Sequence, residues 1–394
     1  MSGNDSDIRR TPRDRFLAAV ERRPGQGVSW DLGYGVTGFT RVAHQNLCRH
    51  LGIELKNQAF WSVMLQTVYP DAGLNDRICG DLRLVSVRAP VDVPDEPLGG
   101  SDLAEYEDEW GLVRRLSANG LYYDIVKSPL ENCRTAADCS RAIRLPQHPR
   151  ERAEGLRTEA EAIRESGYAV GASCFAGIFE MLFWLRGFRN AYLDFARDPR
   201  VVEVVMDHLL DVQKAFWGAI CDELNGLLDV ALLTEDLGTQ RGPMISPSHF
   251  ESIVRPRIAE LIAHIKSRCP GVRILLHSCG AIFPFIPDLI EIGVDLLNPV
   301  QLGAAGMDPH RLKAEFGSDV VFHGAVDIQE ILCHGSVKEV KEHVEFLIDV
   351  LGTGGGYVVA PSHCVQADVP PENIVALVDT VHEAAAYPGL GAAQ

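Results

Sequence analysis

From about residue 155 onward, short apolar runs alternate with longer amphipathic stretches, and no other feature constrains the fold as tightly. The strand-like runs are 168–173, 228–233, 272–277, 294–298, 320–323 and 356–360. The run 272–277 is short and rich in branched apolar residues, as expected of a buried strand. Helical patterns cover 200–225, 247–268, 282–292, 309–316, 337–351 and 371–386. Strands that alternate with helices imply a parallel sheet. Two further strand-like runs, 27–32 and 82–87, bring the number to eight, enough to close a (β/α)8 TIM barrel of α/β class. An open doubly wound sheet is the alternative. The barrel is preferred because no G-x-G-x-x-G turn follows the first strand and because polar residues gather after many different strands. Gly352-Thr353-Gly354-Gly355-Gly356 precedes a strand instead of opening a helix, so it reads as a loop and not as a phosphate cradle.

The chain, 1–394, reads as a single barrel domain with an insertion at about 89–150 after the second strand. There the alternation breaks at Pro90, Pro94, Pro97 and Gly99-Gly100. The runs 110–113 and 122–126 then flank Asn119-Gly120, a strong signal for an antiparallel hairpin. A formal net charge of −17 argues against nucleic acid and anionic membrane surfaces as partners. Residues 1–10 lack the apolar stretch of a signal peptide, and no run is long enough to span a bilayer, so a cytoplasmic protein is expected. Its ten cysteines are then reduced thiols. Cys48, Cys221, Cys269 and Cys333 lie in helix-like contexts and read as small core residues.

Residues just after each barrel strand converge at one rim. That rim collects Asp31, Cys174, Glu235-Asp236, His277, Cys279, Asn298, Gln301, His323, Asp327 and His363-Cys364. Side chains alternate along a strand, so His277 and Cys279 project together from the end of the fifth strand. A nitrogen and a sulfur about one metal ion apart suit zinc. Cys364, after the eighth strand, is the best third ligand, and three protein ligands leave the open position of a catalytic centre. The plainer alternative is that His277 and Cys279 only pack. Glu235 and Asp236 are candidate acid/base groups, or else a solvated rim. Asp31, Gln301, His323 and His363 are candidate substrate contacts, and His363 could equally orient a ligand. Trp30, Tyr34, Phe175, Phe179 and Trp184 would suit a flat apolar substrate near the mouth.

Several stretches together resemble the uroporphyrinogen decarboxylase superfamily, and within it the zinc-dependent, corrinoid-linked methyltransferases. They are Arg13-Asp14-Arg15-Phe16-Leu17-Ala18-Ala19 with Val28-Ser29-Trp30-Asp31, Asp108-Glu109-Trp110-Gly111 with Tyr122-Tyr123, and Glu235-Asp236-Leu237-Gly238-Thr239-Gln240 with Ser246-Pro247 and Arg255-Pro256-Arg257. His277-Ser278-Cys279-Gly280, Asn298-Pro299-Val300-Gln301 and Asp368-Val369-Pro370-Pro371-Glu372-Asn373 extend the likeness through the C-terminal half. The resemblance implies zinc on His277, Cys279 and Cys364, and a methyl group moved between a small substrate and cobalamin on a separate corrinoid protein. A methoxylated donor, aromatic or not, is favoured, which makes the expected activity O-demethylation. The alternatives are a uroporphyrinogen-decarboxylase-like lyase and a thiol-accepting methyltransferase fed by methyl-corrinoid. True decarboxylases carry an Arg-Gln-Ala-Gly-Arg-type stretch after the first strand, where this chain has Asp31-Leu32-Gly33-Tyr34-Gly35 and no arginine. Related methionine-synthesis enzymes place a Glu ligand in the region of Gln301. The fourth ligand here is therefore open among Gln301, a carboxylate such as Glu235, water and substrate.

Overall fold

The structure is a computed structural model that describes residues 11–23, 27–56, 59–89 and 104–386. Eight strands form its centre: β1 (Ser29–Trp30), β2 (Leu82–Ser86), β3 (Ala169–Ser173), β4 (Val230–Thr234), β5 (Arg273–His277), β6 (Leu296–Asn298), β7 (Val321–Val326) and β8 (Tyr357–Pro361). They pair in parallel in the order β1-β8-β7-β6-β5-β4-β3-β2, so chain neighbours are also sheet neighbours. The two ends of that order meet where Asp81 N–H donates to the Trp30 carbonyl at 2.8 Å and Gly80 N–H to that of Leu32 at 3.0 Å. The sheet is thus curled into a TIM-barrel-like form with helices around it.

Alternation along each strand sorts the lumen into layers. Leu82, Leu84, Ala169, Val230, Leu232, Leu275, Leu296, Val321 and Val358 fill the lower lumen, with Phe16 and Val20 of the N-terminal helix Pro12–Val20 packed against them. Two residues further along the same strands, the layer turns polar: Ser86, Ser173, Thr234, His277, Asn298 and His323. The change of character falls at the C-terminal ends of the strands, where barrels carry their chemistry.

The surrounding helices follow from local sequence. Ser336 and Glu339 form a capping box for Val337–Gly352, whose buried Val340, Val344, Leu347, Ile348 and Leu351 recur at helical spacing. Two expected helices differ in detail. The stretch 247–268 begins as Pro247–His249, passes through a π-helical turn at Phe250–Val254, and is α-helical only over Arg255–Arg268. Pro256 lacks an N–H and crowds the preceding turn, which explains the wider turn before it. Likewise 282–292 opens with a 3-10 turn at Phe283–Phe285 and is α-helical over Ile286–Glu291, with Pro284 and Pro287 at the two starts.

Ile178–Arg186 and Phe188–Arg197, between β3 and the long helix Pro199–Glu223, were not anticipated. The first is buried nearly all round, so it shows no apolar stripe in sequence. In the 104–127 region, Glu105–Glu107, Val113–Leu116 and Tyr123–Lys127 pair antiparallel, with Gly120 in a left-handed conformation at the turn. A second small sheet, Phe39–Thr40, Thr67–Val68 and Phe60–Ser62, was not foreseen. The terminal residues 1–10 and the Pro90, Pro94, Pro97, Gly99-Gly100 stretch lie outside the described residues. Among the described residues, no helix is long and apolar enough to cross a membrane.

Candidate functional site

The loops after β4, β5 and β6 are zipped together by backbone hydrogen bonds. Glu235 N–H donates to the His277 carbonyl and Ser278 N–H to that of Asn298, each at 2.7 Å, while Leu237 N–H donates to the Ser278 hydroxyl. Gly280 has φ +83°, and a Cβ there would lie 2.6 Å from the Gly238 carbonyl carbon. Only glycine allows the His277-Ser278-Cys279 turn to lie this close to the Gly238 turn.

Behind His277 runs a buried relay. Asn298 Nδ2 must donate to the His323 carbonyl at 3.2 Å, which can only accept, and this fixes the amide's orientation. Asn298 Oδ1 then accepts from His277 Nδ1–H at 2.5 Å, and Nδ2 donates to His323 Nδ1 at 2.8 Å. His323 Nε2–H donates to Asp31 Oδ2 at 3.1 Å, and Thr37 hydroxyl donates to the same oxygen at 3.3 Å. Asp31 Oδ1 has no hydrogen-bond partner among the described residues. The relay leaves the His277 Nε2 lone pair aimed away from the core.

That lone pair meets Cys279 Sγ at 3.5 Å. His277, Cys279 and His363 hold their donor atoms within 4.8 Å of one another, and the rings of His277 and His363 stand 5.6 Å apart at 71°. Burial, followed by the charge of Asp236, pushes the Cys279 thiol up, and burial, followed by His277, brings His363 down to about 4. The imidazole is therefore neutral with a lone pair to give. Asp236 Oδ1 accepts from Cys279 N–H at 3.1 Å and lies 3.8 Å from His277 Nε2.

A cavity of about 340 Å³ opens over this group, its walls including Trp61, Phe175, Trp184, Glu180 and Asp236. No lysine or arginine is among its described lining residues. A second space of about 530 Å³ shares Trp61, Met64, Phe175 and Trp184 with it and reaches the 104–127 region.

The remaining candidates are distributed differently from expectation. Asp31 and His323 are buried in the relay and do not face the cavity. Gln301 Oε1 accepts from Gly280 N–H at 2.8 Å, and its Nε2 donates to Cys279 Sγ at 3.5 Å, so its amide supports the sulfur and turns its oxygen away. Cys364 lines the cavity, but its S–H is directed at the carbonyls of Gly35 and Val36, both at 3.5 Å, and burial pushes the thiol up to about 12. Glu235 has both oxygens occupied by the Ile178 and Phe179 N–H groups at 2.8 Å, anchoring the start of the helix Ile178–Arg186. Burial pushes its carboxyl up to about 8 against the pull of those amides. Gly177 permits this contact, since a Cβ there would lie 1.6 Å from the Thr234 carbonyl oxygen. Of the aromatic residues expected at the mouth, Phe175 and Trp184 are there. Phe179 is buried against Phe183 and Phe195, and Trp30 packs between Arg15 and His382.

Residues 132–384, more than half of the chain, match the uroporphyrinogen decarboxylase (URO-D) family. The chain belongs to that family. It is 22% identical to the uroporphyrinogen decarboxylase of Psychromonas ingrahamii over 47% of this chain and 49% of that protein. With the uroporphyrinogen decarboxylase of Pseudoalteromonas translucida it shares 31% identity over the same proportions. The chain thus spans about half the length of these curated relatives. A methyltransferase from Methanosarcina mazei has a similar fold, with a TM-score of 0.64 at 17% identity, covering 95% of this chain and 99% of that one.

Within this member of the URO-D family, sequence reasoning missed Glu180. It sits in the first turn of Ile178–Arg186, accepts from the Thr234 hydroxyl at 3.0 Å and faces the cavity. Burial, reinforced by nearby Asp236, pushes its carboxyl up to about 8. The available signal was one carboxylate inside the apolar run Ile178-Phe179-Glu180-Met181-Leu182-Phe183.

Proposed function

We propose that this URO-D family member is a zinc-dependent methyltransferase that removes a methyl group from a methoxylated compound and passes it to cobalamin carried by a separate corrinoid protein. The observation that carries this reading is the pairing of His277 Nε2 and Cys279 Sγ at 3.5 Å, with the nitrogen's lone pair fixed outward by Asn298. A tetrahedral ion with ordinary zinc–nitrogen and zinc–sulfur bonds sets those two atoms about 3.6 Å apart. Two imidazoles on such an ion have ring centres about 5.2 Å apart, close to the 5.6 Å between His277 and His363. The donor set fits zinc. A buried thiol held protonated is also the state that a bound cation reverses.

His277 and Cys279 would hold the ion, with a third donor from the His363-Cys364 pair. Bound there, zinc supplies Lewis acidity to an ether oxygen and stabilises the negative charge that develops on it. In the net reaction the methyl C–O bond breaks, the methyl leaves for the partner's corrinoid, and the electron pair stays on the oxygen, which takes a proton. Glu180 is placed to give that proton. Burial keeps its carboxyl protonated at neutral pH, and Thr234 hydroxyl, itself accepting from Gly177 N–H at 3.1 Å, holds Glu180 Oε2 in place. Asp236 fixes the Cys279 backbone. Trp61, Phe175 and Trp184 offer flat apolar walls to an aromatic methyl ether.

A porphyrinogen bearing many carboxylates suits this cavity poorly. Its described lining includes Glu180 and Asp236 and no basic residue except the two histidines, and the loop after β1 has no arginine. The test combines the zinc-loaded chain, a competent corrinoid protein in its cob(I)alamin state and a panel of methoxylated aromatic compounds. The expected result is a methylcobalamin spectrum with at least one of them. Silence across the panel contradicts the donor-side reading, and carbon dioxide release from uroporphyrinogen would replace it with the lyase.

A further inference from the structure

We infer that His363, and not its neighbour Cys364, completes the metal site with His277 and Cys279. The inference rests on the zinc reading above and settles which member of the dipeptide is the third ligand. Both side chains reach the cavity wall, yet they are engaged differently. A ring nitrogen of His363 lies within 4.8 Å of a ring nitrogen of His277 and of Cys279 Sγ, in a group to which Cys364 does not belong. The Cys364 S–H is committed in the opposite sense, toward the carbonyls of Gly35 and Val36 in the turn after β1. The adjoining backbone is fixed in that position: Val365 N–H donates to the Gly38 carbonyl and Thr40 N–H to the Val365 carbonyl, each at 2.9 Å. Bringing the Cys364 sulfur to the metal would give up its S–H contacts with the Gly35 and Val36 carbonyls.

The ligand set decides the chemistry. Two imidazoles and one thiolate leave a divalent ion with a net positive charge, whereas one imidazole and two thiolates cancel it. A cationic centre is the stronger Lewis acid and favours withdrawing charge from an ether oxygen over keeping a substrate thiol as a reactive thiolate. The inference therefore assigns the site an oxygen-bound methyl donor and makes the thiol-accepting direction the poorer match.

The experiment loads the full chain with Co(II) in place of zinc and reads metal stoichiometry, affinity and the intensity of the sulfur-to-cobalt charge-transfer band. Wild type and Cys364→Ser are expected to bind one ion with equal band intensity, since a single thiolate is present in both. Cys279→Ser should abolish the band. His363→Ala should weaken metal binding by more than about 100-fold, beyond the loss that a merely supporting contact causes. Circular dichroism of each variant, with His363→Asn as a second substitution, separates ligand loss from misfolding. A Cys364→Ser protein with about half the wild-type band, or a His363→Ala protein that binds Co(II) like wild type, overturns the assignment and leaves the zinc reading intact. Failure of the wild type to bind metal overturns both.

Discussion

Two clusters in this protein bring metal-binding residue types together and orient them differently. His277, Cys279 and His363 sit at the barrel's polar layer, and His44, Cys48 and Asp71 sit beneath the small sheet that contains Phe39–Thr40, all with donor atoms within 4.8 Å. In the second cluster, His44 and Cys48 are one helical turn apart on Arg41–Leu51 and the whole group is buried. Asp71 N–H donates to His44 Nε2 at 3.1 Å, so the lone pair that could bind a metal is already engaged as an acceptor. In the first cluster Asn298 takes the Nδ1 proton and leaves Nε2 facing sulfur and cavity. Proximity of metal-binding residue types is common to both. On the zinc reading proposed above, the direction of the imidazole lone pair separates a ligand from a core histidine.

The contrast breaks most sharply under alanine substitution. His277→Ala or Cys279→Ala should cost more than about 100-fold in zinc affinity, and methyl transfer with it. His44→Ala and Cys48→Ala should leave zinc content unchanged. His44→Ala instead removes the acceptor His44 Nε2 from the buried Asp71 N–H and should lower stability by about 1–3 kcal/mol in urea unfolding. If His44→Ala lost zinc, the distinction between the clusters would be wrong.

Next in size is the relay. Asn298→Ala frees the His277 ring to choose either tautomer and should lower zinc affinity by about 10–100-fold, with little change in fold. Asp31→Asn acts two hydrogen bonds further away, through His323, and should cost less than about 10-fold. An effect of Asp31→Asn larger than that of Asn298→Ala would contradict the order of the chain.

The last effect is a pH slope. Glu180 ionises near its ordinary 4.5 in the unfolded chain but is raised to about 8 in the fold by burial and then by Asp236. The folded protein therefore holds a proton that the unfolded chain has released, so stability falls as pH rises from about 4.5 to about 8 and levels off above. Glu235 is raised over the same range, so in metal-free protein Glu180→Gln should reduce that fall in urea midpoints without removing it. An unchanged slope would place the raised carboxyl elsewhere.

Much of the barrel could be read because period and branching are local properties. The strand that ends in His277 shows its apolar run directly, and the helical patterns at 309–316, 337–351 and 371–386 match the helices found there. The π-helical turn at Phe250–Val254 and the buried Ile178–Arg186 could not be read, since one depends on how Pro256 is accommodated and the other has no polar face. At the site, the closeness of His277 and Cys279 matches the expectation, although the strand ends at His277 and a turn brings Cys279 round to it. The separate fates of Glu235 and Asp236 did not, because consecutive carboxylates look alike until Gly177 brings a helix start onto one of them. Gln301 and Asn298 were visible as polar residues after the sixth strand. Which atom each turns toward the site depends on partners far away in sequence.

The central claim is that an outward imidazole lone pair beside Cys279 makes a zinc site. Zinc content of protein expressed in zinc-supplemented cells tests it most directly, measured in parallel on wild type, Cys279→Ala and Cys48→Ala. The account predicts close to one zinc per chain in wild type and Cys48→Ala, and close to none in Cys279→Ala. Zinc retained in Cys279→Ala, or lost in Cys48→Ala alone, would contradict it.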